Sequence, residues 1–216
     1  MHLRNDAMPA NFAPAGVRVH PVTIAQMNLL SVNVGRARPI AIGARIVVSA
    51  IGKRAVTGRV SVHPLGLDGD EQADLSVHGG LSKAVYAYPA EHLAFWRTVR
   101  AQARVSAWDA ALPYGFVGEN LTLTGLLESQ VWIGDLLRFA RCTLAVAGPR
   151  QPCFKFNAVM GFSQASKLML QSGYCGFYLA VREPGTIAAG ESFELLPGPR
   201  EVGIPELFRS VMAKHR

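Results

Sequence analysis

Half of the 216 residues are apolar and 17% are charged, which is enough to bury a core and excludes a disordered chain. The formal net charge is +7, but the basic residues form no dense block, so we expect no nucleic-acid partner. Three cysteines without a CxxC pair argue against a disulfide scaffold and predict reduced thiols in the cytoplasm.

The predicted elements begin after an N-terminal extension, residues 1–27, which lacks the apolar segment of a signal peptide. No apolar run approaches the roughly 18 residues of a membrane-spanning helix, so no membrane association is expected. Strands are predicted at 25–34, 45–50, 56–62, 84–88, 120–124, 131–133, 136–140, 142–147, 176–182 and 192–196. Many short strands separated by Gly, Pro or Asp favour a barrel or a sandwich.

Three helices are predicted among these strands. The first covers Pro89–Arg100, and the second covers Ser163–Gln171 with Ser163 as a cap. The third lies at the C-terminus, where apolar residues from Ile204 to Met212 fall on one face. Such a face has to be covered, either by the chain's own strands or by a second subunit in a homodimer.

Three stretches rich in Gly and polar residues lie in or beside predicted loops, where functional groups are often found. They are residues 66–80, residues 115–121 and residues 148–157. The first resembles the start of a calcium-binding loop, but position 79 is Gly where the bidentate Glu is required, so calcium is not expected. No GxSxG, P-loop or GxGxxG motif occurs.

The strongest candidate for chemistry is Cys153. It follows Pro152, and the cations Arg150 and Lys155 flank it. Nearby cations stabilise a thiolate, which is a good nucleophile and a soft metal ligand. Cys142 and Cys175 lie in apolar, strand-like text and are expected to be buried.

The three stretches together resemble the MOSC family, named for the C-terminal domain of molybdenum-cofactor sulfurase, and within it the bacterial YiiM-like subgroup. The matching segments keep their order and spacing across roughly residues 28–197. They are Gly66 to Ala73, Val77 to Gly80, Tyr88 to His92, Gly118 to Leu121, Gly134-Asp135 and Pro149 to Lys155.

The resemblance implies a mainly β domain at 28–197, an antiparallel β-barrel of the pyruvate-kinase type with a few peripheral helices. It also implies a shortened helical tail at 198–216. It implies a molybdenum–pterin cofactor whose metal takes Cys153. Members reduce N-hydroxylated compounds such as hydroxylaminopurines, with electrons from a separate flavin-containing reductase. Arg150, Lys155 and Lys83 would bind the cofactor phosphate, and Gly79, Gly80, Gln72 and Asn120 would contact the cofactor.

Proton delivery for this chemistry has three candidates, namely His78, Asp70 and Glu119. Two other functions stay open at this point. One is a carrier or binding module for the molybdenum cofactor or for sulfur, without turnover of its own. The other is a metal-free transferase or hydrolase that uses Cys153 with His78.

Overall fold

The computed structural model describes residues 26–73 and 79–213, which form a mainly β structure with four α-helices. The strands of the first half are β1 (Asn28–Val34), β2 (Arg38–Ile42), β3 (Arg45–Ser49), β4 (Arg54–Ala55), β5 (Arg59–His63), β6 (Gly66–Leu67), β7 (Val85–Pro89) and β8 (Leu121–Thr124). The later strands are β9 (Leu136–Arg138), β10 (Thr143–Pro149), β11 (Phe177–Glu183), β12 (Gly185–Ala188) and β13 (Glu194–Leu196). The helices are α1 (Leu93–Gln102), α2 (Phe154–Met160), α3 (Ala165–Ser172) and α4 (Ile204–Ala213).

Eight strands form one large mixed sheet in the order β13-β9-β10-β11-β7-β8-β1-β4. All its neighbours pair antiparallel except β7 and β8, which are parallel. Strands β12, β5 and β6 form a second sheet, and β2 and β3 form a separate hairpin. This order brings the ends of β10, β11, β7 and β8 next to one another, and the candidate site lies there.

The predicted closed barrel is not confirmed, because the sheet ends in two edge strands, β13 and β4, within the described residues. The sheet does curve enough for its ends to approach each other. An isolated bridge links Asn28 at the start of β1 to Ser192 just before β13. The backbone N–H of Leu29 also donates to the carbonyl oxygen of Glu191 at 2.8 Å. The mainly β prediction is confirmed.

The core lies between the large sheet and the helices that cover it. All five residues of β7 are buried, because this central strand is covered on both faces. Trp96 of α1 is fully buried and meets the ring of Phe156 from α2 edge to face, with ring centres 5.2 Å apart. These aromatic contacts fix α2, and therefore the residue in front of it, against the core.

The helix predicted at the C-terminus is confirmed as α4. Ile204 and Phe208 are buried, and α4 lies against β10. The apolar face is thus covered by the chain's own sheet, so a homodimer is no longer needed to explain it. Oligomeric state and the boundaries at 1–27, 28–197 and 198–216 stay predictions.

Other local predictions differ from the structure in instructive ways. Residues 131–133 form no strand, since Trp132 makes only an isolated bridge to Gly203. Ser163 does not cap α3, because the helix begins after Gln164 and the Asn157 side chain accepts from the Ser166 N–H at 2.7 Å. Helix α2 was not predicted.

None of the described helices has the length and apolar character needed to cross a lipid bilayer.

Candidate functional site

An open pocket lies where the ends of the central strands meet, with about 650 Å³ of space counting its mouth. Its walls come from the segments 49–53, 70–73, 83–86, 118–120 and 150–155, together with Tyr178. The strand order explains this convergence. Tyr178 on β11 is paired with Tyr86 on β7, and Asn120 immediately precedes β8.

Cys153 is the pocket's thiol. It immediately precedes α2 and is partly exposed, and its carbonyl oxygen accepts the Phe156 N–H at 2.9 Å. Cys142 and Cys175 are buried, as expected, and burial raises the pKa of both thiols, that of Cys142 to about 11. Of the three cysteines, all within the described residues, Cys153 is therefore the one placed to bind a ligand.

Arg150 is a buried cation at the base of the pocket, with 6% of its surface exposed. Its guanidinium lies between two rings, 5.0 Å from the centre of Tyr86 and 4.9 Å from the centre of Phe156. Its Nη1 atom is buried and has no hydrogen-bond partner among the residues that the structure describes. A buried donor without an acceptor is costly, so this nitrogen is suited to an anionic ligand entering the pocket.

The charge on Arg150 is well supported by its surroundings. Burial alone would lower the pKa of the guanidinium, but Tyr86, Tyr178 and Cys153 raise the pKa above its ordinary value. The guanidinium is therefore cationic at neutral pH. It lies beside the one thiol that lines the pocket, and a cation in that position favours the thiolate.

Lys53 is a second buried cation in the pocket wall, and sequence analysis did not identify it as a site residue. Its ammonium pairs with the Asp70 carboxylate, and the side chains are 9% and 5% exposed. Burial lowers the pKa of Lys53, whereas Asp70 opposes this shift. The scarcity of lysine in the sequence could have pointed to it. The chain has five lysines, and three of them, Lys53, Lys83 and Lys155, line this pocket.

Two glycines explain why Lys53 reaches this position. Gly115 and Gly118 have φ of 84° and 92° in the loop before β8. A Cβ at Gly115 would lie 2.9 Å from the Lys53 carbonyl oxygen, and one at Gly118 would lie 2.8 Å from Cγ1 of Ile51. The segment 50–53 therefore packs on this loop at a distance that only glycine permits.

Asp70 and Asn120 form a clamp behind Lys53. Oδ1 of Asp70 accepts the Gly35 N–H at 2.8 Å, and Oδ2 accepts from Nδ2 of Asn120 at 2.8 Å. Oδ1 of Asn120 in turn accepts the Tyr86 N–H at 3.0 Å. Both oxygens of Asp70 are thus engaged by the protein itself.

Glu119 lies beside this clamp but does not line the pocket within the described residues. It is fully buried, and its Oε1 accepts from the Gly115 N–H at 2.6 Å and the Thr122 hydroxyl at 2.9 Å. Burial raises the pKa of its carboxyl, an effect that these hydrogen bonds partly offset. Glu119 therefore holds the loop, and direct contact with a ligand is not favoured by this position.

The remaining predicted residues lie around the mouth. Lys83 lines the pocket with its ammonium 5.8 Å from the centre of the Tyr178 ring, and Lys155 donates to the Val48 carbonyl oxygen at 3.3 Å. Gln72 lines the pocket and accepts the Gly80 N–H at 3.1 Å. Gly80 reaches the lining only through this bond to Gln72, neither Gly79 nor Gly80 lines the pocket itself, and His78 lies outside the described residues.

The motif from Tyr88 to His92 has a structural role. Oε1 of Glu91 accepts from the Thr124 hydroxyl at 2.8 Å and the Gly125 N–H at 2.7 Å, which fixes the end of β8. His92 is buried in a 2.8 Å contact with Glu128. None of these residues lines the pocket.

The lining carries more positive than negative charge. Lys53, Lys83, Arg150 and Lys155 face two carboxylates, of which Asp70 is paired with Lys53. An anion fits this pocket by charge. The described residues hold no group of three or more His, Cys, Asp or Glu able to bind a metal ion.

This fold and site define a MOSC domain. The family profile for the MOSC domain matches residues 74–194, and the chain belongs to that family. Protein YiiM of Escherichia coli (strain K12) is 38% identical over 159 residues, which cover 73% of this chain and 68% of YiiM. The crystal structure of YiiM from Geobacillus stearothermophilus is 30% identical with a TM-score of 0.68, covering 87% of this chain and 85% of that one.

A fungal relative has a name that points to redox chemistry. The protein named Reductase of Gibberella moniliformis (strain M3125 / FGSC 7600) is 35% identical over 172 residues, which cover 79% of this chain. These residues represent only 29% of the fungal protein.

Proposed function

We propose that this chain binds a molybdenum–pterin cofactor in the pocket and reduces N-hydroxylated compounds of the hydroxylaminopurine type. The observation that carries the proposal is the position of the Cys153 thiol beside the buried, incompletely hydrogen-bonded guanidinium of Arg150. Membership of the MOSC domain family and a relative named Reductase support it.

The residues present fit such a group. Cys153 would supply the protein's ligand to the metal, since a thiolate is the soft donor that sulfur-bound metals prefer. Nη1 of Arg150 lacks an acceptor, and a phosphate oxygen would satisfy it with a charge-assisted hydrogen bond. Lys83 and Lys155 add positive charge at the mouth, while Gln72 and Asn120 form part of the pocket wall.

When bound, the cofactor supplies two-electron redox chemistry at molybdenum and its dithiolene sulfurs, and the protein binds and orients the reactants. The pocket is open on one side, so a flat substrate can reach Cys153 from solvent. The electrons would come from a separate flavin-containing reductase, and reduced thiols are consistent with a cytoplasmic setting. All the pocket residues fall between 49 and 178, inside the domain expected at 28–197.

The proposal can be tested with protein made in a host that produces the cofactor. We expect the purified wild-type chain to contain molybdenum and pterin and to reduce 6-hydroxylaminopurine with a flavin reductase. Cys153→Ser should lose the metal and the activity, while Cys142→Ser, the matched change at a buried thiol away from the pocket, should keep both.

Three results would contradict it. Molybdenum and turnover surviving in Cys153→Ser would remove the ligand assignment. Wild-type protein without molybdenum from a cofactor-producing host would remove the cofactor. Stable cofactor binding with no reduction by any of several donors would instead support a carrier role.

A further inference from the structure

Lys53 has the structural features of a functional group that the proposed function leaves without a role. Its ammonium lines the pocket, yet the side chain is only 9% exposed. A buried lysine is expensive, and a purely structural ion pair would not need to open on a ligand cavity. The segment that carries it is pressed against the Gly115–Gly118 loop, which fixes the position of its backbone.

We propose that Lys53 is the proton donor for N–O bond cleavage in this pocket, with Asp70 holding its ammonium in place. This inference rests on the proposed function and deepens it. Neither the sequence motifs nor the relatives assign a role to Lys53.

The bound cofactor would supply the two electrons for this reaction. The N–O bond of the hydroxylamine accepts two electrons and breaks, and the proton on Nζ of Lys53 goes to the departing oxygen, which leaves as water. A second proton, from solvent, completes the amine on nitrogen. The neutral Lys53 amine is then reprotonated from solvent through the open mouth, and the flavin reductase restores the two electrons.

Lys53 suits this step better than the carboxyl groups. Asp70 uses both oxygens within the protein and is the partner of the ammonium, so neither oxygen is available to a substrate. Glu119 is buried outside the lining. Lys53 is the group in this cluster that carries a proton and also lines the cavity.

The charges around Lys53 change the pKa of its ammonium in a way that suits proton transfer. Burial lowers the pKa of its ammonium from the ordinary lysine value, and the positive charge of Arg150 acts in the same direction. Asp70 and Glu119 raise the pKa and keep the proton bound at rest. Entry of a substrate beside this pair removes more water and favours release of the proton.

A direct test reads the protonation of Lys53 without any activity. The chain has only five lysines, so protein labelled with ¹³C-lysine gives five side-chain signals. We expect the signal that disappears in Lys53→Arg to titrate at a lower pH than that of Lys167, which is exposed on α3. Titration of Lys53 together with Lys167, or above it, would overturn the proposal.

The second test separates proton donation from charge. Lys53→Arg keeps a cation opposite Asp70, but a guanidinium does not release its proton in this range. We expect kcat to fall by about 100-fold or more with molybdenum content unchanged, as for loss of a general acid. The decline of wild-type kcat toward alkaline pH should follow the pKa measured by NMR and disappear in Lys53→Arg.

Lys167→Arg is the matched control and should behave as wild type. An unchanged kcat and pH profile in Lys53→Arg would overturn the inference while leaving the proposed function intact. Loss of molybdenum in Lys53→Arg would overturn it too, because Lys53 would then be a cofactor-holding cation. If cofactor-loaded wild-type protein reduces no N-hydroxylated compound, the proposed function fails first and the inference fails with it.

Discussion

The guanidinium of Arg150 lies 4.9 Å from the centre of the Phe156 ring, so the buried cation is held by the helix that begins directly after Cys153. This contact couples the charge and the thiol into one rigid unit. Phe156 is itself fixed against Trp96 in the core. The site is thus organised before any ligand arrives, which reduces the cost of binding.

Arg150→Met tests whether this cation binds a ligand or only fills space. The substitution removes two cation–π contacts, worth about 0.5–2 kcal/mol each, but it also removes a buried, unsatisfied donor. These effects oppose each other, so the free energy of unfolding of the cofactor-free protein should change by less than about 2 kcal/mol, measured in urea.

Cofactor retention should respond far more strongly. Loss of a charge-assisted hydrogen bond, about 1.5–3 kcal/mol, predicts a dissociation constant for the cofactor at least about tenfold higher, read as molybdenum content after gel filtration. Arg150→Lys should not restore it, because an ammonium cannot stack between two rings in the same way. The exposed Arg97→Met is the control, and equal retention in Arg150→Met and Arg97→Met would exclude a role in cofactor binding.

Asp70→Asn tests the ion pair with Lys53. It leaves a buried ammonium without its counter-ion, which for buried pairs costs about 3–5 kcal/mol of unfolding free energy. The double variant Lys53→Met/Asp70→Asn should recover part of this loss, because both charges are gone. A double variant as unstable as the sum of the two single changes would show that the pair contributes nothing to stability.

The free energy of unfolding of Asp70→Asn is also expected to depend on pH. Asp70 opposes the lowering of the Lys53 pKa by burial, so Asp70→Asn lowers this pKa further in the folded state. The folded protein then binds the proton more weakly than the unfolded chain. Stability should therefore rise with pH between the lowered pKa and the ordinary lysine value, and urea unfolding of Asp70→Asn at several alkaline pH values measures the slope. The exposed Asp109→Asn should show only the smaller slope of the wild type, in which Asp70 still supports the Lys53 proton.

Glu119→Gln is expected to change the pH dependence of stability at lower pH, near the titration range of a carboxyl group. Burial raises the pKa of Glu119 in the folded state, so the folded protein binds this proton more tightly than the unfolded chain does. In the wild type this carboxyl lowers stability as pH rises from its ordinary value through the raised one. The difference in unfolding free energy between Glu119→Gln and wild type should therefore shift in favour of the variant as pH rises.

Urea unfolding at pH 4 to 8 measures this difference, with the exposed Glu201→Gln as control. A constant difference across the range would mean that the carboxyl of Glu119 titrates alike in the folded and unfolded chains.

Much of the fold was readable from the sequence because most strands are short apolar runs bounded by turn residues. Strand β2 was missed, since Pro39 interrupts its pattern and it pairs only with β3 in a hairpin. Helix α2 was missed because its seven residues are too few to show a helical period, and tertiary contacts such as Trp96 with Phe156 stabilise it.

The site residues also fall into two groups, those that the sequence reveals and those that it does not. Cys153 and Arg150 lie in a polar, Pro-rich stretch that stands out, and the structure brings them to one pocket. Tyr86 and Tyr178 lie in ordinary strand-like text, and Lys53 lies between two predicted strands, so only tertiary structure brings these three residues to the pocket. The Lys53–Asp70 pair spans 17 positions, and strands β4, β5 and β6 lie between the two residues, so no local pattern predicts it.

Gly118→Ala tests the close packing that positions Lys53. Gly118 has φ of 92°, and a Cβ there would lie 2.8 Å from Cγ1 of Ile51, whereas Gly58 has φ of 83° with nothing within 4 Å. Both substitutions carry the backbone penalty of about 1–2 kcal/mol for a left-handed alanine. Only Gly118→Ala also pushes the 50–53 segment away, so it should cost at least about 1 kcal/mol more in urea unfolding than Gly58→Ala. It should also lower molybdenum retention, which Gly58→Ala should not, because the displaced segment forms one wall of the pocket. Equal losses of stability in the two variants would show that the loop yields without moving Lys53.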